Sequence, residues 1–192
     1  MKRYVIFILF LLSVCFITNC GKRNPQILLK TELGDVIAEI YVDKAPVTAN
    51  NFLRYVDDGI FKNSTFYRTV RMDNQPNNDV KIEVIQGGLY DEERMYPPII
   101  HETTDMTGIL HKDGVLSMAR LGPGTATSEF FICVGDQPEL DFAGKRNPDG
   151  KGFAAFGKVV SGMEIVRKIQ IQSAEGQMLN PRIKIFDIFR TK

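Results

Sequence analysis

Gly114-Val115-Leu116-Ser117-Met118-Ala119-Arg120, then the turn Gly122-Pro123-Gly124-Thr125, then Ser128-Glu129-Phe130-Phe131-Ile132-Cys133-Val134, is the stretch that decides the fold. Two short apolar runs separated by turn residues read as strands over 115–119 and 129–134. A Gly/Asn/Pro loop follows over 143–152, and 153–160 reads as a further strand. Upstream, 27–31 and 35–41 form a hairpin around Leu33-Gly34-Asp35. In its second arm Val36, Ala38 and Ile40 alternate with Ile37, Glu39 and Tyr41, the period of a half-buried strand. Residues 65–70 and 80–86 are strand-like, the latter ending at Gly87-Gly88, with a polar loop at 71–79 between them. A long irregular stretch over 89–113 carries Pro97-Pro98 and both histidines; loops of that length are usually functional or flexible.

Two helices interrupt this pattern. Pro46 suits a first helical position, where its missing N–H costs nothing. Ala49, Phe52, Leu53 and Val56 then share one face, and Gly59 supplies the left-handed cap. Ser161-Gly162-Met163-Glu164 reads as a capping box opening a second helix striped by Ile165, Val166 and Ile169. A last strand over 182–190 alternates Ile183, Ile185, Asp187 and Phe189 with Lys184, Phe186 and Ile188. Strands surround each helix without regular strand–helix alternation, which argues against a doubly wound sheet. The expected fold is mainly β: a closed eight-stranded antiparallel barrel capped by two helices.

The chain has 192 residues, 44% of them hydrophobic, enough for one sizeable core. Its formal net charge is +1 with no basic stripe, so nucleic acid is not an expected partner. Lys2 and Arg3 precede an apolar run from Tyr4 to Ile17, shorter than the ~20 residues that span a bilayer. Ile17-Thr18-Asn19-Cys20 resembles a lipobox, with Asn19 where a small residue is usual. Residues 1–20 are therefore expected to be a secretory signal, 21–25 a tether and 26–192 the folded domain. Cys20 would be acylated and anchor the chain at the bacterial cell envelope. A soluble periplasmic protein and a retained anchor are the alternatives. Without Lys2 and Arg3 the formal charge is −1, so electrostatic capture is not the theme. Cys133 reads as a buried small hydrophobe, and the mature domain has no second thiol for a disulfide.

Several chemistries fail on spacing. His101 and His111 lie in a loop with no Cys near them, short of a zinc set, so no metal is expected. Gly122-Pro123-Gly124-Thr125 lacks the Lys-Ser/Thr of a phosphate loop and precedes a strand. Ser128 lacks the Gly-x-Ser-x-Gly elbow.

An ordered set of segments resembles the cyclophilin family. Phe66-Tyr67-Arg68-Thr69-Val70 is similar to the strand carrying that family's essential arginine. Val84-Ile85-Gln86-Gly87-Gly88 is similar to the next strand, whose Gln supports it. Gly114–Arg120 with Ser128–Ile132 resembles the family signature, and Leu140-Asp141 and Phe156-Gly157-Lys158-Val159-Val160 continue in family order. Ala45-Pro46-Val47-Thr48-Ala49-Asn50-Asn51-Phe52 resembles the first helix. The resemblance implies a peptidyl-prolyl cis-trans isomerase that needs no cofactor and acts, as a monomer, on extended proline-containing polypeptides. It implies catalytic roles for Arg68, Gln86 and Phe131. Val84, Leu140 and Phe153 would complete a proline pocket. Ala119 and Arg120 would hold the substrate by backbone groups, with Glu129 beside them.

That assignment is physically coherent. An X-Pro bond prefers trans only slightly, yet rotates slowly because amide resonance sets a barrier of ~18–20 kcal/mol. A donor at the prolyl nitrogen and an apolar pocket for the ring lower it without covalent chemistry. Four positions depart from the family: Glu83 where a pocket Phe is expected, Glu129 for Gln, Glu139 for the Trp common in eukaryotic members, and Phe153 for His. Glu83 and Glu129 keep open a second reading, a peptide-binding module or chaperone with little turnover. An unrelated ligand-binding barrel is a third.

Overall fold

The structure, a computed structural model, describes residues 24–89 and 94–191. The expected signal, Cys20 and most of the tether lie outside the described residues.

The strands are β1 (Gln26–Thr31), β2 (Gly34–Ile40), β3 (Ser64–Val70), β4 (Val84–Gly88), β5 (Val115–Met118), β6 (Phe130–Cys133), β7 (Ala154–Ser161), β8 (Ala174–Glu175) and β9 (Met178–Arg190). Their order is β1-β2-β7-β5-β6-β4-β3-β9, and β9 returns to β1, so eight strands close a barrel with every pairing antiparallel. The two-residue β8 lies outside the ring, in a hairpin with the start of β9.

Helix α1 (Pro46–Asp57) begins with Pro46 in its first turn and is followed by Gly59 at φ 63°. It buries Ala49, Phe52, Leu53 and Val56. The Phe52 ring lies 5.1 Å from Phe61, 5.3 Å from Phe130 and 4.9 Å from Phe156, tying the helix to the barrel interior. A one-turn helix, α2 (Thr104–Thr107), interrupts the stretch expected to be irregular. Helix α3 (Met163–Gln170) buries Val166 and Ile169.

Three local expectations are corrected. The capping box at Ser161 does not form: Ser161 stays in the β2–β7 ladder opposite Ile37, and Gly162 takes the N-cap at φ 92°. A Cβ on Gly162 would stand 2.5 Å from the Asp35 carbonyl oxygen, so the close approach itself calls for glycine. In β9 the alternation slips one residue, because Lys30 pairs with Asp187 while Thr31 pairs with Ile185. Phe186 is the extra residue of a bulge, so Ile188 is buried and Phe189 exposed. Residues 80–83 are not strand, because side-chain amides take the place of a neighbouring backbone. The buried Gln75 donates to the Ile82 carbonyl at 2.7 Å and accepts from its N–H at 3.3 Å, and Gln137 accepts from Glu83 N–H at 3.1 Å.

The buried side chains form two bodies. The larger fills the barrel and the undersides of α1 and α3. The smaller, on the outer face of the sheet, contains Val70, Ile82, Val84, Phe131, Cys133 and Leu140. Strand β6 serves both: Phe130 and Ile132 face inward, Phe131 and Cys133 outward. With both faces covered, its sequence is one uninterrupted apolar run. Burial pushes the Cys133 thiol well above its ordinary range, consistent with packing and not with a nucleophile.

Candidate active site

Arg68, Gln86, Phe131 and Ser117 occupy one row across four adjacent strands. Arg68 pairs with Gln86 between β3 and β4, Gln86 with Phe131 between β4 and β6, and Phe131 with Ser117 between β6 and β5. Strands lie ~4.8 Å apart, so Arg68 and Phe131 are held about 10 Å from each other, flanking Gln86. Residues so far apart in sequence converge because the barrel register aligns them.

A β-bulge between Phe66 and Arg68 shapes one end of this row. Phe66 goes into the core, while Tyr67 and Arg68 both line the outer site. Arg68 Nη1 donates to Gln86 Oε1 at 2.8 Å. Its Nε and Nη2 donate to Gln177 Oε1 at 3.0 and 2.5 Å. Among the described residues no carboxylate lies in ion-pair range of Arg68. Burial lowers its pKa, yet a guanidinium stays charged at any working pH. Three of its five donors are engaged, which leaves two for a ligand. Gln86 Nε2 in turn donates to the Tyr67 hydroxyl at 2.5 Å, and that hydroxyl donates to Glu129. Burial first, and then the Glu129 charge, raise the Tyr67 pKa, so the phenol keeps its proton.

The other end is a pocket of about 290 Å³, lined by Ile82, Val84, Phe131, Leu140 and Phe153 and rimmed by Arg68 and Arg146. Phe131 meets Phe153 edge-on at 5.3 Å. On its other side His111 stacks on Phe131 with centroids 6.0 Å apart. His111 is buried; its Nδ1 donates to Asp141 at 2.7 Å and its Nε2 lies 2.9 Å from Ser117 Oγ. The histidine is thus a hydrogen-bonded wedge that fixes the floor of the pocket. His101 Nε2 meets the Lys151 carbonyl at 3.2 Å. The Arg120 side chain clasps the pocket's outer loop, with bonds of 2.7 and 2.9 Å to Asp149 and of 2.9 and 2.6 Å to the Gly152 carbonyl. Its guanidinium also sits 5.2 Å from the Phe153 ring centre.

Of the expected backbone pair, Ala119 is only half available, because its N–H already donates to the Glu129 carbonyl at 2.8 Å. Neither backbone group of Arg120 has a partner among the described residues. A larger recess of about 1040 Å³ adjoins the pocket and shares Gln86, Ala119, Arg120 and Leu121 with it.

The acidic departures do not fill the pocket. Glu83 accepts from Gln170 at 3.3 Å, toward α3, and Ile82 and Val84 supply the wall instead. Glu139 accepts from the Lys145 N–H at 2.8 Å within its own loop. Glu129 lines the larger recess. Tyr67, Gln177, Ile82 and Arg146 line or support the candidate site without having been expected there, and His111 was weighed only as a metal ligand. Tyr67 lay in the segment quoted with Arg68 and Ile82 in the strand expected over 80–86, so bulge geometry and loop packing were the missing signals.

A family model, cyclophilin type peptidyl-prolyl cis-trans isomerase/CLD, matches residues 26–188. The chain belongs to that family. A peptidyl-prolyl cis-trans isomerase of Acinetobacter baylyi is 36% identical over 151 residues, spanning 76% of this chain and 72% of that one. Peptidyl-prolyl cis-trans isomerase B of Escherichia coli is 34% identical over 150 residues, spanning 76% and 84%. Among solved structures, a cyclophilin type isomerase of Cryptosporidium parvum superposes with a TM-score of 0.66 at 23% identity, over 88% of this chain and 98% of its own. The eight-stranded antiparallel barrel is therefore a cyclophilin fold, and the chain is a peptidyl-prolyl cis-trans isomerase.

Proposed function

We propose that this cyclophilin isomerises Xaa-Pro bonds in extended segments of exported polypeptides, with the proline ring in the Phe131 pocket and Arg68 as the donor to the prolyl nitrogen. The observation that carries this reading is a guanidinium with two unengaged donors beside an apolar recess of about 290 Å³. Drawing the nitrogen lone pair toward Arg68 pyramidalises that nitrogen and weakens the amide resonance that opposes rotation. Phe131, Val84, Leu140 and Phe153 hold the ring still, so rotation falls on the preceding carbonyl. The backbone N–H and C=O of Arg120 pair with the substrate backbone, and its clasped side chain keeps them in place. Nothing in the step requires a proton to leave the protein. Binding serves catalysis here only so far as it favours the twisted amide over either planar isomer.

Exchange NMR on a short Xaa-Pro peptide tests this. Catalytic amounts of the chain should raise the cis/trans exchange rate without altering the populations, whereas a binder with no turnover shifts populations only. Export and anchoring are part of the same proposal. Lys2, Arg3, the apolar run and Cys20 support a lipid-modified N-terminus at the cell envelope, and a monomeric chain on that tether suffices for the chemistry. Cys20→Ser should move the protein from the membrane to the soluble fraction. A parent protein already soluble with Cys20 intact would remove the anchor.

A further inference from the structure

Gln177 lines neither recess, yet it is the residue that holds two of Arg68's donors. It sits just after Gly176, φ 60°, in the hairpin that joins β8 to β9. Three things fix it there. Its carbonyl accepts from Thr69 N–H at 2.9 Å, stitching the hairpin to β3 next to Arg68. Its side-chain Nε2 donates to the Asn74 carbonyl at 3.2 Å, in the loop 71–79. The Asn74 side chain then donates to the Gly176 carbonyl at 3.1 Å and to the Thr69 carbonyl at 3.0 Å.

The loop itself is firmly held. Asn74 Oδ1 accepts from Arg71 N–H at 2.8 Å, Arg71 Nη1 donates to the Gln170 and Gln172 carbonyls at 3.1 Å each, and buried Gln75 ties Arg71 to Ile82. The amide orientation of Gln177 follows from chemistry. A guanidinium only donates and a carbonyl only accepts, so Oε1 must face Arg68 and Nε2 must face Asn74.

We infer that Gln177, oriented by the loop 71–79 through Asn74, is a positioning residue for Arg68. This rests on the role proposed for Arg68. Its content is that the guanidinium plane is set from behind by Gln177 as well as from the side by Gln86. Two contacts at Nε and Nη2 stop rotation about the terminal torsions, so the two unengaged donors keep their aim. A donor useful only in the twisted state gains from being aimed beforehand. The loop 71–79 thereby supports the site through Asn74.

The test is Gln177→Leu, which keeps the stem and removes the acceptor. We expect kcat to fall about tenfold with KM within a factor of two, since the ring pocket and the Arg120 backbone are untouched. The Arg68 Nε–H resonance, assigned by its loss in Arg68→Lys, should exchange with water faster than in the parent. A kcat within twofold of the parent, or an Arg68 Nε–H as protected in Gln177→Leu as in the parent, overturns the inference. Should the parent chain not isomerise at all, the proposed catalytic role falls, while the Nε–H comparison still decides by itself whether Gln177 positions the guanidinium.

Discussion

Replacing Arg68 by alanine separates the fold from the chemistry more cleanly than any other single change. In the folded chain the guanidinium bonds Gln86 and Gln177 and stands at the edge of the ring pocket. Neither amide is deeply buried, so water can take the vacated acceptor positions. With solvent compensation the loss of stability should be about 1 kcal/mol. The catalytic loss is larger. Removing one preorganised donor aimed at the transition state costs about 3–4 kcal/mol, or ~100- to 1000-fold in rate. Because Phe131, Leu140 and Phe153 remain, substrate affinity should change little and kcat should carry the deficit. Exchange NMR on an Xaa-Pro peptide measures the rate, and the amide spectrum of the variant reports whether the barrel is intact. A natively folded Arg68→Ala whose catalysed exchange stays within threefold of the parent would refute the reasoning, because the rate would then not depend on the donor assigned to Arg68.

Phe131→Ala should destabilise the protein by about 3–5 kcal/mol in urea unfolding, since the ring is only 4% exposed and its loss uncovers both Phe153 and His111. The gentler Phe131→Leu should fold and show a raised KM toward Xaa-Pro peptides; an unchanged KM would place the ring elsewhere. Asp149 is held from an ordinary 3.8 down to about 2, chiefly by its bond to Arg120. A carboxylate lowered in the folded state adds stability that is complete above about pH 4 and disappears as pH falls through about 2. The urea midpoint of the parent should therefore drop more steeply over that window than that of Asp149→Asn; parallel curves would show that the Arg120 clasp adds nothing.

The barrel was readable because short apolar runs end at turn residues, and period-two alternation is clear in β1 and β2. Helix α1 was readable from Pro46 to Gly59. Phe130-Phe131-Ile132-Cys133 announced a strand but hid its faces, since apolar side chains fill the barrel on one side and the ring pocket on the other. The bulges at Tyr67 and Phe186 escaped because a one-residue slip leaves composition untouched and only reverses which side chains point in. Gln177 lies 109 positions from Arg68, so no local pattern joins them. His111 looked like one of two loop histidines; only the fold brings Asp141 and Ser117 to its two nitrogens. The strands were thus legible from local chemistry, while the supports of the site depend on contacts between distant loops.

The substitution of Glu129 for the family's glutamine shows why the supports matter. A carboxylate directly on Arg68 would neutralise the group proposed to attract the prolyl nitrogen's lone pair. The structure interposes Gln86 and Tyr67. Arg68 donates to Gln86, Gln86 to Tyr67 and Tyr67 to Glu129, each bond polarising the next in one direction. Tyr67 keeps its proton, because burial and the neighbouring charge both raise its pKa. The relay therefore cannot reverse: a flipped Gln86 would set an amide N–H against a guanidinium that has only donors to offer. The negative charge ends up orienting the amide instead of quenching the cation. Among the described residues Arg68 bonds only neutral oxygens, from Gln86 and Gln177, and so retains its charge and two donors for the role proposed for it.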